Sequence, residues 1–202
     1  YPNDFFDVAI GNVPFGDYRV NDPVYNSHGF LIHDYFFAKT LDKLRAGGVA
    51  AYITTKGTMD KESTKVREFL FKKAELLGAI RLPNTAFKNA GTKVTADILF
   101  LQKREKEIEN PEWIAVTEDA QGFRINSYFV QHPEMILGTM QEISGPYGME
   151  TTCVEKEGVP LGERLRAAIS HITGHIPERV EEERAEFRYA GRKKGRYHSV
   201  PD

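Results

Sequence analysis

The sequence predicts an α/β fold in which the strands of a sheet alternate with helices. Four short apolar segments have the length and composition of buried strands, and two amphipathic segments of helical period separate the first three of them. Strands joined by helical crossovers usually neighbour one another and run parallel. We therefore expect a largely parallel, doubly wound sheet, followed by a less regular C-terminal part.

Each element of this sheet is predicted from its own local pattern. The strands are runs rich in Val, Ile, Leu and Phe that are bounded by glycine, proline or polar residues. The helices carry Phe and Leu on one face and charged residues on the other, and Gly47 with Gly48 is expected to end the first helix. In chain order the prediction is strand 5–10, helix 30–45, strand 49–54, helix 60–73, strand 76–82 and strand 95–102.

Beyond a charged stretch at 103–111 the signals are weaker. They indicate a strand at 113–116, a hairpin formed by 140–144 and 150–154, and a helix over 160–172. We expect a catalytic half of one domain at 1–104, an extension at 105–175 and a charged tail at 176–202. Basic residues and tyrosines alternate in the tail, which is typical of a solvated segment, the favoured interpretation, or of a nucleic-acid contact.

Composition narrows the classes of function. The 202 residues carry a net charge of −2, so no global basic field marks a nucleic-acid binder. The single cysteine, Cys153, excludes an internal disulfide framework and is expected to be a buried thiol. His171 and His175 are spaced like metal ligands, but they lack the glutamate of a zinc protease and a third ligand, so we predict no metal site. No apolar run approaches the roughly 20 residues that span a bilayer, which favours a cytoplasmic protein without a membrane partner.

One motif lies where the ligands of α/β sheets bind. The residues Asn12-Val13-Pro14-Phe15-Gly16 directly follow the first strand, and ligands of open α/β sheets bind beyond the carboxyl ends of strands. Amide and carbonyl oxygens accept hydrogen bonds, and an aromatic ring stacks on a planar group. From the motif alone, a tight structural turn with a buried aromatic side chain is an equally good interpretation.

The sequence around this motif resembles the N6-adenine DNA methyltransferases, in which Asn, Asp or Ser, two prolines and an aromatic residue follow the fourth strand. The likeness is to modification subunits of type I restriction systems and to the methylase portion of large methylase–helicase polypeptides of phages and conjugative elements. It implies a Rossmann-like methyltransferase sheet, truncated to its fourth strand and onward, with a smaller α+β C-terminal extension. The segments that carry it are 34–37, 44–49, 53–54, 79–83, 87, 91–92 and 97–102, with 126–129 and 132–138 for the methylase–helicase group.

The resemblance implies the chemistry of adenine N6 methylation at this motif. The exocyclic nitrogen of adenine is a poor nucleophile, and two acceptors aimed at its N–H bonds stabilise the positive charge that develops on it. By resemblance these acceptors are the side-chain oxygen of Asn12 and the carbonyl of Val13, while Phe15 stacks on the flipped base and Pro14 holds the turn. Val13 departs from the usual proline, so its backbone N–H needs a partner.

The resemblance also implies S-adenosylmethionine as the methyl donor, held by a glycine-rich loop and an acidic residue of an N-terminal half. We find neither in these residues, and therefore expect the cofactor-binding residues upstream of residue 1 and weak or absent cofactor binding by the chain alone. Gly16, Asp17 and Lys56, next to predicted strand ends, are weaker candidates for substrate binding. The implied partners are DNA, the N-terminal half of the same polypeptide, and a fused helicase or restriction subunits.

Two other functions are compatible with the same residues. Methyltransferases that act on a glutamine side chain of a protein, or on an RNA base, need the same two acceptors. The chain is alternatively a DNA-binding or scaffold module with a degenerate methylase fold and no activity.

Overall fold

Four strands of the chain form one mixed sheet, and two separate hairpins follow it. The computed structural model describes residues 1–145 and 148–179. The strands are β1 (Phe6–Asn12), β2 (Leu44–Thr55), β3 (Ala74–Leu82), β4 (Ala96–Lys103), β5 (Val116–Glu118), β6 (Arg124–Asn126), β7 (Gly138–Gly145) and β8 (Gly148–Glu155). The helices are α1 (Ile32–Lys43), α2 (Gly57–Asp60), α3 (Lys65–Lys73), α4 (Ser127–Gln131) and α5 (Leu161–Ile169).

The sheet has the order β1–β2–β4–β3. β1 and β2 pair in parallel, whereas β4 is antiparallel to both of its neighbours, so β1, β2 and β3 share one direction. The expectation of a largely parallel sheet is therefore wrong for β4. Residues 83–95 connect β3 to β4 through loops and one short 3-10 turn, and without a crossover helix the chain returns antiparallel.

The expectation of a doubly wound sheet is also wrong for the described residues. Both crossovers, β1–α1–β2 and β2–α3–β3, advance in the same direction across the sheet. Right-handed crossovers in one direction place their helices on the same face, and α1 and α3 do contact each other. The β1–α1–β2 unit is the repeating unit of Rossmann-like sheets, so the predicted fold class is confirmed.

The helix stop expected at Gly47 and Gly48 is wrong, because both glycines lie inside β2. α1 ends at Lys43, and β2 begins at the next residue. Residues 45–48 bulge out of the ladder with β1, where a Cβ on Gly48 would lie 2.9–3.1 Å from three backbone carbonyl oxygens. The glycines therefore allow a bulge and a close approach of the two strands.

Three boundaries of the later elements differ from the prediction. The helix expected over 60–73 begins later, as α3 at Lys65, because a separate short helix, α2, ends at Asp60 and the chain turns there. The strand expected at 113–116 is wrong: Trp113 has a φ of 63°, and the strand β5 begins at Val116. The hairpin of β7 and β8 is confirmed, and the helix expected over 160–172 is shorter, as α5.

The core is continuous from the sheet to the C-terminal helix. Leu41 of α1, Ile80 of β3, Phe129 of α4 and Ala168 of α5 belong to one buried cluster. The division into regions at 104 and 175 stays a prediction, and the part of the predicted tail at 180–202 lies outside the described residues. None of the helices that the structure describes is long and apolar enough to cross a membrane.

Candidate active site

The motif Asn12–Gly16, named here the acceptor turn, lies at the carboxyl end of β1, an outer strand of the sheet that pairs in parallel with β2. Asn12 is the last residue of β1 and lies opposite Ile53 of β2. Beyond it the chain has no regular structure up to Gly16. The sequence prediction that this motif follows a strand of the sheet is confirmed.

The backbone N–H of Val13, which a proline would lack, has a hydrogen-bond partner. Its backbone N–H donates a hydrogen bond of 3.0 Å to the carbonyl of Ile53, which extends the β1–β2 ladder by one bond. Its side chain is only 3% exposed and belongs to the main core cluster. The turn is therefore anchored by a hydrogen bond and by apolar burial where a proline would hold it by a restricted φ.

Neither of the two proposed acceptors is occupied by a hydrogen-bond donor in the described part of the chain. Asn12 is exposed, and no donor in residues 1–145 or 148–179 forms a hydrogen bond with its side chain or with the carbonyl of Val13. An amide oxygen and a carbonyl oxygen on consecutive residues can accept two N–H bonds of one amino group. This part of the turn is thus chemically able to bind a primary amine or amide.

Phe15 presents an aromatic ring next to these acceptors. It is 40% exposed, so the interpretation of the motif as a turn with a buried aromatic side chain is wrong. A Cβ on Gly16 would lie 2.6 and 2.8 Å from atoms of the Tyr18 ring, so glycine is needed for that ring to approach the turn. Phe15 and Tyr18, itself more than half exposed, give this edge of the sheet two accessible aromatic side chains.

The chain that leaves the turn is tied to the start of α1. The N–H of Ile32 donates to the carbonyl of Tyr18 over 2.9 Å. Asp34 lies in the first turn of α1, and its carboxylate lies 3.3 Å from Nε2 of His33. The sequence interpretation of His33 as a packing residue at a helix start agrees with its burial.

Burial sets the ionisation of this pair. The pKa of His33 is lowered by burial, against the opposing effect of Asp34, and the pKa of Asp34 is raised by burial. Asp17 is exposed and close enough to His33 to oppose that lowering of its pKa. Asp17 therefore belongs to the surroundings of the turn.

Lys56 directly follows β2, which lies between β1 and β4 in the sheet. Its N–H donates to the carbonyl of Thr95, and its Nζ donates to Oγ1 of Thr151 over 2.8 Å. Burial lowers the pKa of Lys56. No contact between Lys56 and Asp17 joins these two candidates within the described part of the chain, so they line different parts of this edge.

Beneath Lys56 lies a fully buried arginine that sequence reasoning missed. Arg81 forms two hydrogen bonds of 2.8 Å to the carboxylate of Asp97 and an ion pair of 2.8 Å with Asp60. Its guanidinium also covers the ring of Phe129 at 4.3 Å. The sequences of strands β3 and β4 do not indicate this pair, since each partner is a single charged residue in a hydrophobic run.

Cys153 is buried as expected, and burial raises the pKa of its thiol to about 12.

The protein is of the α/β class, with the parallel β1–α1–β2 unit that Rossmann-like sheets contain. The chain belongs to the N-6 DNA Methylase family, whose sequence model matches residues 3–141. The resemblance to N6-adenine DNA methyltransferases is thereby confirmed.

Individual relatives resemble parts of the chain. It is 36% identical over 111 residues to defense against restriction protein B of Escherichia phage P1, a match that covers 53% of this chain and 5% of that protein. A structure described as a class I S-adenosylmethionine-dependent methyltransferase from Listeria monocytogenes is 24% identical with a TM-score of 0.42, over 55% of this chain and 36% of the other. A structure described as a type I restriction enzyme modification subunit from Vibrio vulnificus YJ016 is 23% identical with a TM-score of 0.41, over 54% and 24%. The chain thus spans well under half the length of these proteins.

Proposed function

We propose that the chain is the catalytic part of a DNA methyltransferase that transfers a methyl group from S-adenosylmethionine to N6 of adenine. The observation that carries the proposal is the acceptor turn of an N-6 DNA Methylase family member, with two free acceptors beside an exposed ring. The proposed location is the cytoplasm. The proposed partners are DNA, a cofactor-binding half of the same polypeptide, and a fused helicase or restriction subunits.

In this mechanism the acceptor turn binds and polarises the target amine. Oδ1 of Asn12 and the carbonyl oxygen of Val13 each accept one N–H of adenine N6, which directs the nitrogen lone pair away from the ring. As the nitrogen gains its fourth bond, the same two oxygens stabilise the positive charge, and one N–H proton then passes to water. Phe15 stacks on the base, which must leave the duplex to reach the turn.

S-adenosylmethionine supplies the methyl group when it is bound. The described residues do not fit this cofactor well, because the segment after β2 has neither a glycine-rich loop nor an unpaired acidic residue for it. Gly57 is the one glycine between β2 and α3, and Asp60 forms an ion pair with Arg81. The proposal therefore assigns the cofactor-binding residues to polypeptide upstream of residue 1. It expects the isolated 202 residues to bind S-adenosylmethionine weakly or not at all, and a micromolar dissociation constant in calorimetry would contradict this assignment.

The activity is tested with the polypeptide that contains this chain together with the residues that precede it in its gene. It is incubated with duplex DNA and S-adenosylmethionine, and the digested nucleosides are analysed by mass spectrometry. We expect N6-methyladenine from the wild type, a loss of at least about 100-fold for Asn12→Ala from removal of one acceptor, and no change for the exposed control Asn110→Ala.

The other outcomes each overturn the proposal in a defined way. Cofactor binding without a methylated DNA base, but with methylated RNA or protein glutamine, would assign the turn to one of those substrates. No cofactor binding by the longer polypeptide would leave a non-catalytic DNA-binding or scaffold module.

A further inference from the structure

A second cleft lies at the same edge of the sheet as the acceptor turn. It has a volume of about 400 Å³ and opens between the end of β2, the start of β4 and the hairpin of β7 and β8. Three lysines line it together with Thr151: Lys56 and Lys61, which lie before and after the short helix α2, and Lys93, which precedes β4. The sequence analysis identifies Lys56 alone, and the tertiary structure brings the distant Lys93 beside it.

The charge of this cleft, named here the lysine cleft, is positive. Of its two acidic residues, Asp60 is already paired with Arg81 at 2.8 Å, which leaves Glu150 against the three lysines. Lys61 and Lys93 are exposed and form no ion pair with any residue in the described ranges. The lysine cleft therefore holds an excess of positive charge on a chain whose net charge is −2.

Lys56 differs from the other two because it is half-buried. Its ammonium group donates to Oγ1 of Thr151, so the Thr151 hydroxyl hydrogen is free to point into the cleft. Burial lowers the pKa of Lys56, and Arg81 adds to this effect, whereas the carboxylates of Asp60 and Glu150 oppose it. An anion in the cleft would compensate that charge and accept a hydrogen bond from Thr151.

The lysine cleft and the acceptor turn are a short distance apart along the sheet. Val13 is hydrogen-bonded to Ile53, and Lys56 follows Ile53 by three residues, which corresponds to about 10 Å of extended chain. Successive phosphates of one DNA strand advance by about 3.4 Å along the duplex axis. A nucleotide bound at the turn thus has phosphates of the same strand, a few nucleotides away, within reach of the lysines.

We propose that the lysine cleft binds phosphodiester groups of the DNA strand whose adenine enters the acceptor turn. Three ammonium groups and a hydroxyl suit a phosphate, which needs charge and hydrogen bonds but no fixed fork geometry. The inference rests on the proposed function only for which DNA strand is bound. The binding of phosphate is argued from the lysines alone.

DNA binding as a function of salt tests the inference without any methylation. Affinity of the 202-residue chain for a fluorescent duplex is measured by anisotropy from 25 to about 200 mM salt, for the wild type, Lys61→Gln, Lys93→Gln and the double variant. Because each lost phosphate contact reduces the slope of log K against log salt by about 0.9, we expect a fall near 1 for each single variant and near 2 for the double variant. Lys106→Gln, an exposed lysine near the opposite end of the sheet, is expected to leave the slope unchanged.

The result that overturns the inference is a double variant with the slope of the wild type, or no DNA binding at 25 mM salt. Lysine-dependent binding to single-stranded RNA but not to DNA would also overturn it in favour of RNA. Lys61 and Lys93 are exposed, so their variants are expected to fold, and circular dichroism checks this.

The two proposals fail separately. If the lysine variants lower the slope but no N6-methyladenine forms, the lysine cleft stands and the proposed function falls. If Asn12→Ala abolishes methylation while the slopes do not change, the function stands and the lysine cleft falls.

Discussion

At the scale of single residues, Val13 shows how a motif tolerates substitution at a position of restricted geometry. A proline there would restrict φ but could not donate a hydrogen bond, whereas valine donates to Ile53 and buries an isopropyl group. The Val13 carbonyl, which the proposed mechanism uses, is present with either residue. The position therefore has two physical solutions that present the same acceptor.

Replacing Val13 by proline is expected to destabilise this chain, although proline is the residue of the family signature. The Ile53 carbonyl would lose its donor, at a cost of about 1 kcal/mol in the free energy of unfolding, measured by urea denaturation. Val13→Ala keeps the N–H and isolates the cost of the lost methyl groups. A proline variant as stable as the wild type would show that the hydrogen bond contributes nothing net.

His33 is expected to make the chain less stable in mild acid. Burial lowers its pKa below the usual value of about 6.5, so below that pH the unfolded chain binds a proton that the folded chain does not. The free energy of unfolding should therefore fall as the pH drops from about 7 through 6.5 toward the folded-state pKa. His33→Asn should flatten this part of the profile in urea titrations at pH 7.5 and 5.5.

The control for this prediction is His28→Asn, which replaces an exposed histidine stacked on Phe30. We expect it to keep the pH dependence of the wild type. Equal pH dependence of wild type and His33→Asn would mean that His33 is not the group responsible.

At the scale of elements, one buried arginine joins a helix and two strands. Arg81 of β3 pairs with Asp97 of the neighbouring strand β4 and with Asp60 at the end of α2. Asp60 in turn accepts a hydrogen bond from the N–H of Asn126 at the start of α4. These bonds hold Asp60 against the sheet, in agreement with a chain that turns there and a helix α3 that begins only at Lys65.

Breaking this pair is expected to cost far more than breaking a surface pair. Arg81→Met leaves the carboxylate of Asp97 buried without its partner, and we expect a loss of about 3–5 kcal/mol in the free energy of unfolding. Arg124→Met removes a pair with Glu62 of similar geometry at the surface, and should cost less than about 1 kcal/mol. Both are measured by chemical denaturation.

A double variant checks the cause of that loss. Arg81→Met with Asp97→Leu removes both buried charges and should recover part of the stability lost by Arg81→Met alone. If the double variant is the less stable of the two, the loss comes from packing and not from an unpaired charge.

At the scale of the whole molecule, the end of the described chain returns to its beginning. Residues 170–179, named here the return segment, pass from α5 to the amino end of the sheet. There Gln102 donates to the carbonyl of His175 over 2.7 Å, and Arg179 donates to Asp7 over 3.1 Å. Ile172 packs where a side chain on Gly78 would stand, at 2.8 Å from its ideal Cβ. The return segment thus ties both ends of the described chain to one sheet.

Removing the return segment is expected to lower the melting temperature. A chain that ends at Ile169 loses the Ile172 contact and the bonds to Gln102 and Asp7, and we expect its Tm to be roughly 5–10 °C below that of a chain ending at Arg179. Differential scanning calorimetry compares the two chains. Equal Tm values would mean that the return segment is bound without stabilising the sheet.

Several elements and the position of the motif can be predicted from the sequence alone. Strand β1, helix α1 and the hairpin of β7 and β8 follow from periodicity and turn residues that lie close together in the chain. The acceptor turn was predicted in the same way, since its position depends only on the strand that it follows. These features depend on periodicity and turn residues within a short stretch of chain, which a single sequence contains.

The arrangement of these elements relative to one another is visible only in the tertiary structure. The antiparallel direction of β4, the donor to Ile53 that replaces a proline, and the pairing of Arg81 with Asp97 all depend on residues distant in sequence. The lysine cleft depends on three segments that meet only in the folded chain. Such features arise from strand register and from charges that find partners during packing, and no local pattern contains that information.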